Sequence, residues 1–362
     1  MGSMTELPAV SMGGIAHGGR LNQARRLFPN APEPFLDLST GINPLAYPLP
    51  DLDPECFTRL PEPESEAALL AAAAAAYGAA DASLIAAAPG TQILIDLIPL
   101  LWPASGVVVL GPTYAEYAQA WRNVGAGVTG VSAIGVSGTA VRVSGVTDFA
   151  DLETAARREN GIVVVLCNPN NPDGRRIEPA RLLALADRLA AGGGLLLVDE
   201  AFADLEDDGL SLVPSVPHPA VIVLRSFGKT YGLAGVRLGF AIAAPDRARR
   251  ITAALGPWAV SGPAIAIARA ALADRGWRAA TRRRLESETV TLDAMLSRAG
   301  LRVIGGTALF RLGEGPEAAS IFQRLGRAGI AVRRFAEQPN WLRFGFPGSP
   351  EAWRRLDAAL AD

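Results

Sequence analysis

Residues 226–235 read SFGKTYGLAG, and Lys229 within this stretch is the only lysine in a chain of 362 residues. The chain carries 34 lysine and arginine residues in total, so arginine occupies every other position of this kind. Arginine supplies surface charge as well as lysine does, but only the ε-amine of lysine can lose its proton and attack a carbonyl carbon. Lys229 is therefore either present by chance in an arginine-rich chain or a nucleophile. The residues around it in the sequence distinguish these two interpretations.

Short apolar runs lie on both sides of this stretch and alternate with helical patterns. The runs predicted as strands cover residues 106–110, 127–132, 139–143, 161–167, 195–199, 220–225 and 236–243. The predicted helices cover residues 65–77, 91–101, 114–123, 149–158 and 178–191. Nearly continuous valine, leucine and isoleucine strands separated by helices indicate an α/β domain with a mostly parallel sheet covered on both faces.

The pattern changes after about residue 245. An arginine-rich helical stretch is predicted over 263–298, followed by strands 301–304 and 307–312, helix 316–328, strands 330–334 and 341–345, and helix 351–361. This order indicates a smaller α+β domain. We predict an N-terminal arm over residues 1–45 that contributes to the small domain and the active site, a large domain over 46–250 and a small C-terminal domain over 251–362. Residues 28–63 are rich in proline and are expected to wrap around the structure.

Composition argues against several classes of function. The formal net charge of −2 gives no basic field for nucleic acid, and no apolar run reaches the ~20 uncharged residues of a membrane-spanning helix. Two cysteines, Cys56 and Cys167, and two histidines, His17 and His218, give no disulfide framework and no metal-binding spacing. We expect a cytoplasmic protein without a metal site and without nucleic-acid or membrane partners.

Three short polar segments follow predicted strands. CNPNNPDG occupies residues 167–174, DEAF occupies 199–202, and RSFGKTYG occupies 225–232. Ligands of open α/β sheets bind beyond the carboxyl ends of the strands, so these segments are expected to supply an amide, a carboxylate and an amine to one site. A fourth segment, PGTQ over 89–92, places glycine and threonine at a helix start, where backbone N–H groups can bind phosphate.

Pyridoxal 5'-phosphate (PLP) is the cofactor that needs this set. Its aldehyde needs a lysine for a Schiff base, and its ring nitrogen needs a carboxylate that keeps it protonated. Its phosphate needs N–H donors and an arginine, and its ring needs an aromatic side chain to stack on. The candidates, in that order, are Lys229, Asp199, the pair Gly90 and Thr91 with Ser226 and Arg237, and Tyr114. Each alone has an ordinary explanation as a loop, helix cap, surface charge or core residue, so the prediction rests on their joint occurrence.

The motifs NPNNPDG, DEAF and SFGKTYGLAGVRLGF resemble those of fold-type I PLP enzymes in the aminotransferase class I/II superfamily. The resemblance extends from about residue 13 to residue 360. The opening GGIAHGGRLNQARRLFPNAPEPFLDLSTGINPLAYP is most similar to the threonine-phosphate decarboxylases of cobalamin biosynthesis, especially at His17-Gly18-Gly19 and over residues 39–44. Histidinol-phosphate aminotransferases are near relatives. The resemblance implies the fold-type I fold, PLP as cofactor and a homodimer.

The resemblance also implies roles for single residues on the cofactor side. Lys229 matches the Schiff-base lysine, Asp199 matches the partner of the ring nitrogen, and Asn171 matches the donor to the ring 3-oxygen. The remaining matches are the stacking aromatic residue and the phosphate contacts, namely Tyr114, Gly90, Thr91, Ser226 and Arg237.

On the substrate side, Arg343 in WLRFGFPG matches the arginine that binds the α-carboxylate. Arg333 matches a second arginine of the small domain that faces the substrate. Because a phosphorylated substrate needs a phosphate site separate from that of the cofactor, we expect His17, Gly18 and Asn43 of the opening segment to provide it.

This sequence departs from the family pattern at four positions. Gly228 replaces a serine that contacts phosphate, and Phe202 replaces a tyrosine that donates to the ring oxygen. Leu60 stands where many relatives have a tyrosine that reaches the cofactor of the neighbouring subunit, and Asp173 replaces the threonine of NPTG. These departures affect the expected cofactor affinity and the contact between subunits, but they leave Lys229 and Asp199 in place.

Three functions remain open on the residues alone. The first is decarboxylation of L-threonine O-3-phosphate to (R)-1-amino-2-propanol O-2-phosphate, and the second is transamination of histidinol phosphate or a related amino acid. The third is a regulator or binding module that has lost catalysis, which the retained Lys229 and Asp199 argue against. The first two share every cofactor residue and differ in which bond at Cα is turned out of the ring plane. The resemblance of the opening segment favours the decarboxylase.

Overall fold

The computed structural model describes residues 17–104, 106–124, 128–132, 149, 153–154, 157, 160–207 and 209–361. The predicted strand 139–143 and most of the predicted helix 149–158 lie outside these residues. Among the helices of the described part, none combines the length and the apolar character that crossing a lipid bilayer requires.

In the described residues, seven strands form the larger sheet, in the order β2-β8-β7-β6-β5-β3-β4. They are β2 (Ile85–Ala88), β3 (Val107–Gly111), β4 (Val128–Ser132), β5 (Val163–Cys167), β6 (Leu195–Asp199), β7 (Val221–Ser226) and β8 (Gly239–Ala243). Strand β8 is antiparallel to both of its neighbours, and the other pairs are parallel. Strands β5 and β6 are buried along their whole length, which explains why their sequences are almost wholly apolar.

Helices cover both faces of this sheet. One face packs against α3 (Pro63–Tyr77), α6 (Pro179–Ala191) and α9 (Gly262–Ala273), and the opposite face packs against α4 (Thr91–Leu101), α5 (Glu116–Asn123) and α8 (Pro245–Leu255). Neighbouring residues of a strand alternate between the two cores, with Val164 on the first face and Val165 on the second. Three shorter helices are α1 (Leu21–Leu27), α2 (Glu55–Thr58) and α7 (Phe227–Thr230).

The smaller sheet has five strands in the order β1-β11-β12-β10-β9. They are β1 (Leu36–Leu38), β9 (Arg302–Thr307), β10 (Phe310–Glu314), β11 (Ile330–Phe335) and β12 (Gln338–Phe344). Strand β1 runs parallel to β11, so the proline-rich opening of the chain contributes an edge strand to the C-terminal sheet. The core of this part also contains residues of α10 (Arg275–Arg298), α11 (Ala318–Arg327) and α12 (Pro350–Ala361).

The predicted single helical stretch 263–298 is two helices in the structure. They are separated at Asp274, whose Oδ1 accepts a hydrogen bond from the backbone N–H of Trp277 at 2.8 Å and so caps α10. Helix α9 packs in the core of the larger sheet. The predicted boundary at residue 250 falls inside α8, which packs on the larger sheet, and the predicted division into arm, large domain and small domain stays a prediction.

Candidate active site

The carboxyl ends of β5, β6 and β7 border a cavity of about 200 Å³. Cys167, Asp199 and Ser226, the last residues of these strands, all line it. The structure brings together in this cavity all eight residues predicted to bind the cofactor, namely Gly90, Thr91, Tyr114, Asn171, Asp199, Ser226, Lys229 and Arg237.

Lys229 lies in α7, the helical turn that directly follows β7. Its Nζ lies 5.9 Å from the centroid of the Phe202 ring. Burial lowers the pKa of Lys229 from 10.5 to about 8, and the positive charge of Arg343 is the second cause. The negative charge of Asp199 opposes this change. A substantial fraction of the amine is therefore unprotonated near neutral pH, as a nucleophile requires.

Asp199 is a buried carboxylate at the end of β6. Its Oδ1 accepts a hydrogen bond from the backbone N–H of Ala201 at 2.9 Å, and its Oδ2 accepts one from the hydroxyl of Tyr117. Burial raises the pKa of Asp199, although the bonds from Tyr117 and Ala201 and the charge of Lys229 act in the opposite direction. A positive charge placed in the cavity would stabilise the ionised carboxylate, and a protonated pyridine nitrogen is such a charge.

The opposite end of the cavity has the chemistry of an anion cradle. Gly90 precedes α4 with φ of 90°, and a Cβ on this residue would lie 2.6 Å from Nη2 of Arg237. Arg237 itself has φ of 55°, a conformation that is uncommon outside glycine, and its Nη1 donates to the carbonyl of Ala234 at 3.1 Å. The guanidinium is thus held close to the N-terminal backbone of α4, where N–H groups and arginine together suit a phosphate.

Gly228 occupies the position where the family pattern has serine. A Cβ on this residue would lie 2.6 Å from Cα of Ala234 and 3.1 Å from its backbone nitrogen. A serine could enter only if the segment that carries Ala234 moved away. Ala234 also lines the cavity, so the missing side chain is matched by a close approach of backbone and not by an open space.

Phe202, the second departure, belongs to an apolar wall beside Lys229. Its ring packs edge-on against Phe310 with the centroids 5.1 Å apart. A Cβ on Gly41 would lie 2.9 Å from carbon atoms of both rings, so the three residues are closely packed. This wall keeps water away from the amine and accounts in part for the low pKa of Lys229.

A second cavity of about 550 Å³ adjoins the first and shares Tyr114, Asn171, Phe202 and Lys229 with it. Four of the five residues predicted to bind substrate line this cavity, namely His17, Gly18, Arg333 and Arg343. Arg333 in β11 and Arg343 in β12 are register partners, so both side chains lie on one face of the small sheet.

Arg343 is a buried guanidinium that lines the second cavity. Its Nη2 donates to the carbonyl of Ser39 at 2.9 Å, and its Nη1 donates to Oδ1 of Asn171, which leaves Nδ2 of Asn171 to donate elsewhere. The buried Nε of Arg343 has no hydrogen-bond partner among the described residues. Burial and the nearby charge of Arg333 lower the pKa of Arg343 to about 9, so an anionic ligand would stabilise its charged form.

Asn43 is absent from the residues that line the two cavities in the described structure. Its Nδ2 donates to the carbonyl of Thr230 at 2.9 Å, and its Oδ1 accepts from Nη2 of Arg284 at 2.7 Å and from the backbone N–H of Leu45 at 3.1 Å. These bonds occupy its polar atoms. Asn43 therefore supports the segment that follows Lys229 and does not reach the cavity in which we expected it.

Sequence analysis missed two residues that complete the site. Tyr117 is fully buried and donates to Asp199, and Cys167 lies beside them with its Sγ 3.2 Å from the hydroxyl of Thr113. Burial and the charge of Asp199 raise the pKa of Cys167 to about 12, so the thiol stays protonated. The available signal was the spacing Tyr114-x-x-Tyr117 in the predicted helix 114–123, because residues three apart on a helix are neighbours, although in the structure Tyr114 lies before α5.

The fold and the cavity define a class of protein, and the comparisons agree on that class. Residues 44–360 match the family described as "Aminotransferase class I and II". The chain belongs to this family.

Individual relatives show which members of the family this chain is similar to. The chain is 42% identical to a threonine-phosphate decarboxylase of a Sinorhizobium species over 96% of its own length and 98% of the relative. It is 41% identical to a threonine-phosphate decarboxylase of Pseudomonas aeruginosa over 96% of its own length and 97% of the relative. A solved histidinol-phosphate aminotransferase from Sinorhizobium meliloti in complex with pyridoxal-5'-phosphate has a TM-score of 0.78 at 23% identity, covering 99% of this chain and 98% of that structure, which shows the same fold.

These findings confirm the predicted fold class and the predicted cofactor. The residues present fit PLP on independent structural grounds. A buried amine with a lowered pKa, a buried carboxylate and a backbone-arginine cradle line one cavity, and they match the aldehyde, the ring nitrogen and the phosphate of that cofactor.

We predict that cofactor uptake by the apoenzyme depends on the protonation of Lys229. Uptake should be slow at low pH and should rise through a midpoint near pH 8, because only the neutral amine attacks the aldehyde. Arg343→Leu should move the midpoint to higher pH, since the charge of Arg343 lowers the pKa of Lys229. Rapid-mixing absorbance with added PLP measures both, and an uptake rate independent of pH in the wild type would contradict the prediction.

We predict that Asp199→Asn leaves the melting temperature close to that of the wild type but lowers turnover by about 100-fold or more, because a neutral amide cannot hold a proton on the ring nitrogen. The matched control is Asp187→Asn, the same substitution at an exposed carboxylate, which should keep wild-type turnover. If the Asp199 variant kept near wild-type turnover, Asp199 would have only a structural role.

Proposed function

We propose that this protein decarboxylates L-threonine O-3-phosphate to (R)-1-amino-2-propanol O-2-phosphate with PLP as cofactor, as a step of cobalamin biosynthesis. The observation that carries the proposal is the identity of 42% and 41% to two threonine-phosphate decarboxylases along nearly the whole of each chain. The roles of the site residues given below are part of the same proposal.

The distribution of cations in the second cavity supports a substrate with two anionic groups. Arg343 lies next to Lys229, where the α-carboxylate of an amino acid would be bound. His17, Gly18 and Arg333 line the same cavity and are available to the distal phosphate. A substrate held at both ends has a fixed rotation about the bond between its amine and Cα, and this rotation selects the bond that breaks.

When bound, PLP supplies a protonated ring that accepts the electron pair left at Cα after CO2 departs. Asp199 holds the proton on the ring nitrogen, and Tyr117 holds Asp199 through its hydroxyl. Arg343, whose guanidinium is fixed by Asn171, would bind the substrate carboxylate and set its orientation. Nζ of Lys229, with a pKa of about 8, would be the group that returns a proton to Cα.

We predict that the holoenzyme releases CO2 from L-threonine O-3-phosphate without consuming a keto acid. CO2 release from threonine itself should be at least about 100-fold less efficient in kcat/KM, because charge-assisted bonds to the phosphate are lost. A coupled CO2 assay measures both reactions. Equal rates for the two substrates would contradict a phosphate site.

Histidinol-phosphate aminotransferase activity is the alternative function. The chain is 33% identical to such an enzyme of Symbiobacterium thermophilum over 72% of its length and 70% of the relative, so the same assay series should include it. Histidinol phosphate with 2-oxoglutarate should yield no glutamate above background if the proposal holds. Glutamate formation without CO2 release from threonine phosphate would transfer the assignment to the aminotransferase.

We also propose a homodimer in the cytoplasm. Four large apolar side chains are exposed in the segment 49–60 and in the turn after α8, namely Leu49 at 61%, Phe57 at 65%, Leu60 at 62% and Trp258 at 53%. Helix α2, which carries Phe57, packs on α9, since a Cβ on Gly262 would lie 2.3 Å from the carbonyl oxygen of Cys56. A second copy of the chain would remove this apolar surface from water. The free cysteines Cys56 and Cys167 suit a reducing compartment.

We predict that Phe57→Asp raises the dimer dissociation constant by about tenfold or more, since a charge would enter an apolar interface. Val290→Asp is the matched control, because Val290 is 71% exposed on the long helix α10 and lies outside this apolar surface. Sedimentation velocity over a concentration series measures both. A wild type that sediments as a monomer at micromolar concentration would contradict the dimer.

A further inference from the structure

A carboxylate outside the cavity holds one nitrogen of His17. Nε2 of His17 lies 2.6 Å from Oε1 of Glu116, and both side chains are largely but not wholly buried. The imidazole ring also contacts Tyr114, with ring centroids 5.7 Å apart. His17 lines the second cavity, whereas Glu116 is not among its described lining residues. The carboxylate therefore contacts the imidazole ring from outside the cavity.

The backbone beside His17 is fixed independently of this pair. A Cβ on Gly18 would lie 2.2 Å from the carbonyl oxygen of Ser39, so the arm packs directly on the residue that follows β1. The N–H of Gly19 donates to Oγ of Ser39 at 2.8 Å, and this hydroxyl donates to Oδ1 of Asp37 at 2.6 Å. With the backbone held in this way, the remaining freedom of His17 is the rotation of its side chain.

Glu116 is well placed to remove that freedom. It is the first residue of α5, where the helix dipole favours a carboxylate, and it belongs to the large domain. His17 belongs to the arm that packs on the small domain through Ser39. The pair therefore joins the arm to the N-terminus of α5, and its bond at Nε2 leaves Nδ1 as the ring nitrogen available to a ligand.

We propose that Glu116 is a positioning residue that orients His17 so that Nδ1 donates a hydrogen bond to the phosphate of the substrate. The inference rests on the proposed function and adds a residue that was not predicted from the sequence. In the doubly protonated ring both nitrogens donate, so one imidazolium joins the carboxylate on α5 to a phosphate in the cavity.

Electrostatic repulsion between Glu116 and the phosphate would have the opposite effect on phosphate binding from the orientation of His17. A carboxylate near a phosphate repels it, so removal of Glu116 would strengthen phosphate binding if repulsion dominated. Orientation predicts weaker binding instead. The two effects differ in sign, and a substitution series at Glu116 distinguishes them.

The test compares steady-state kinetics of the holoenzyme with L-threonine O-3-phosphate. Glu116→Ala should raise KM by about tenfold, the worth of one well-oriented hydrogen bond, and leave kcat within about twofold. Glu116→Gln keeps an acceptor oxygen at the same reach and should bring KM back to within about threefold of the wild type. In a His17→Ala background, Glu116→Ala should have no further effect on KM, because the two residues act as one unit.

The matched control is Glu33→Ala, which removes a second carboxylate paired to the arm. Oε1 of Glu33 accepts from Nε of Arg25 at 2.7 Å on the exposed side of the arm, so its loss should leave KM unchanged. An unchanged or lower KM in Glu116→Ala, an equal loss in Glu116→Gln, or the full loss persisting in the His17→Ala background would each overturn the proposal.

A binding measurement separates this inference from the proposed function. Inorganic phosphate is titrated calorimetrically into the holoenzyme, and Glu116→Ala should weaken its binding by about tenfold. If the wild type releases no CO2 but the variant still loses phosphate affinity, the proposed reaction fails and the role of Glu116 stands. If the wild type decarboxylates the substrate and the phosphate titration is the same in both proteins, only the role of Glu116 fails.

Discussion

The shared direction of β5, β6 and β7 is the constraint on which the rest of the site depends. Because these strands are parallel and adjacent, their carboxyl ends meet at one edge of the sheet. Segments far apart in the sequence thereby bring Asn171, Asp199 and Lys229 to one cavity. The helices on both faces bury the strands completely, so the edge is rigid and the positions of the functional groups are fixed by the core.

Burial at this edge creates the electrostatic properties that the chemistry needs. Desolvation lowers the pKa of Lys229 and raises the pKa of Asp199, so each group is less readily charged than it would be in water. The positive charge of Arg343 also lowers the pKa of Lys229, because two cations near each other repel. The cationic ring nitrogen of a cofactor would stabilise the ionised form of Asp199, and the carboxylate of a substrate would stabilise the charged form of Arg343. The same buried charges therefore contribute to binding and to the reactivity of the site.

The sequence predicted the parts of the fold with a strong periodic signal. Strand β6 has the predicted bounds 195–199, because five buried apolar residues end at a charged one. Strand β2 was missed because its sequence, IAAA, has little β-branched character and reads as a continuation of alanine-rich helix. Helix α8 was missed because its arginine-rich pattern lies where the sequence changes character, and the break at Asp274 was missed because helical residues continue on both sides.

For the site, too, the residues with a clear local pattern were predicted, and those that depend on tertiary contacts were not. Residues that occupy a motif at a strand end, such as Lys229 and Asp199, could be predicted to lie in one cavity because their chemistry and position are both visible in the sequence. Asn43 was assigned to the substrate although it is bonded to Thr230 and Arg284, since no sequence pattern reveals that tertiary bonds already occupy a side chain. Tyr117 and Glu116 were not predicted, because each matters through a tertiary contact that the sequence does not reveal. Tyr117 donates to Asp199, and Glu116 contacts His17.

The departures from the family pattern show how packing and chemistry are coupled around Lys229. Gly228 lacks the hydroxyl of serine, and the backbone of Ala234 occupies the space that a Cβ would need. Phe202 has lost a phenolic donor, but its ring packs on Phe310 and Gly41 and gives the amine an apolar neighbour. Both changes remove polar groups from the surroundings of Lys229 while keeping water out. The charged groups that remain near Lys229 are Asp199, Arg237 and Arg343, and Arg333 lies further along the second cavity.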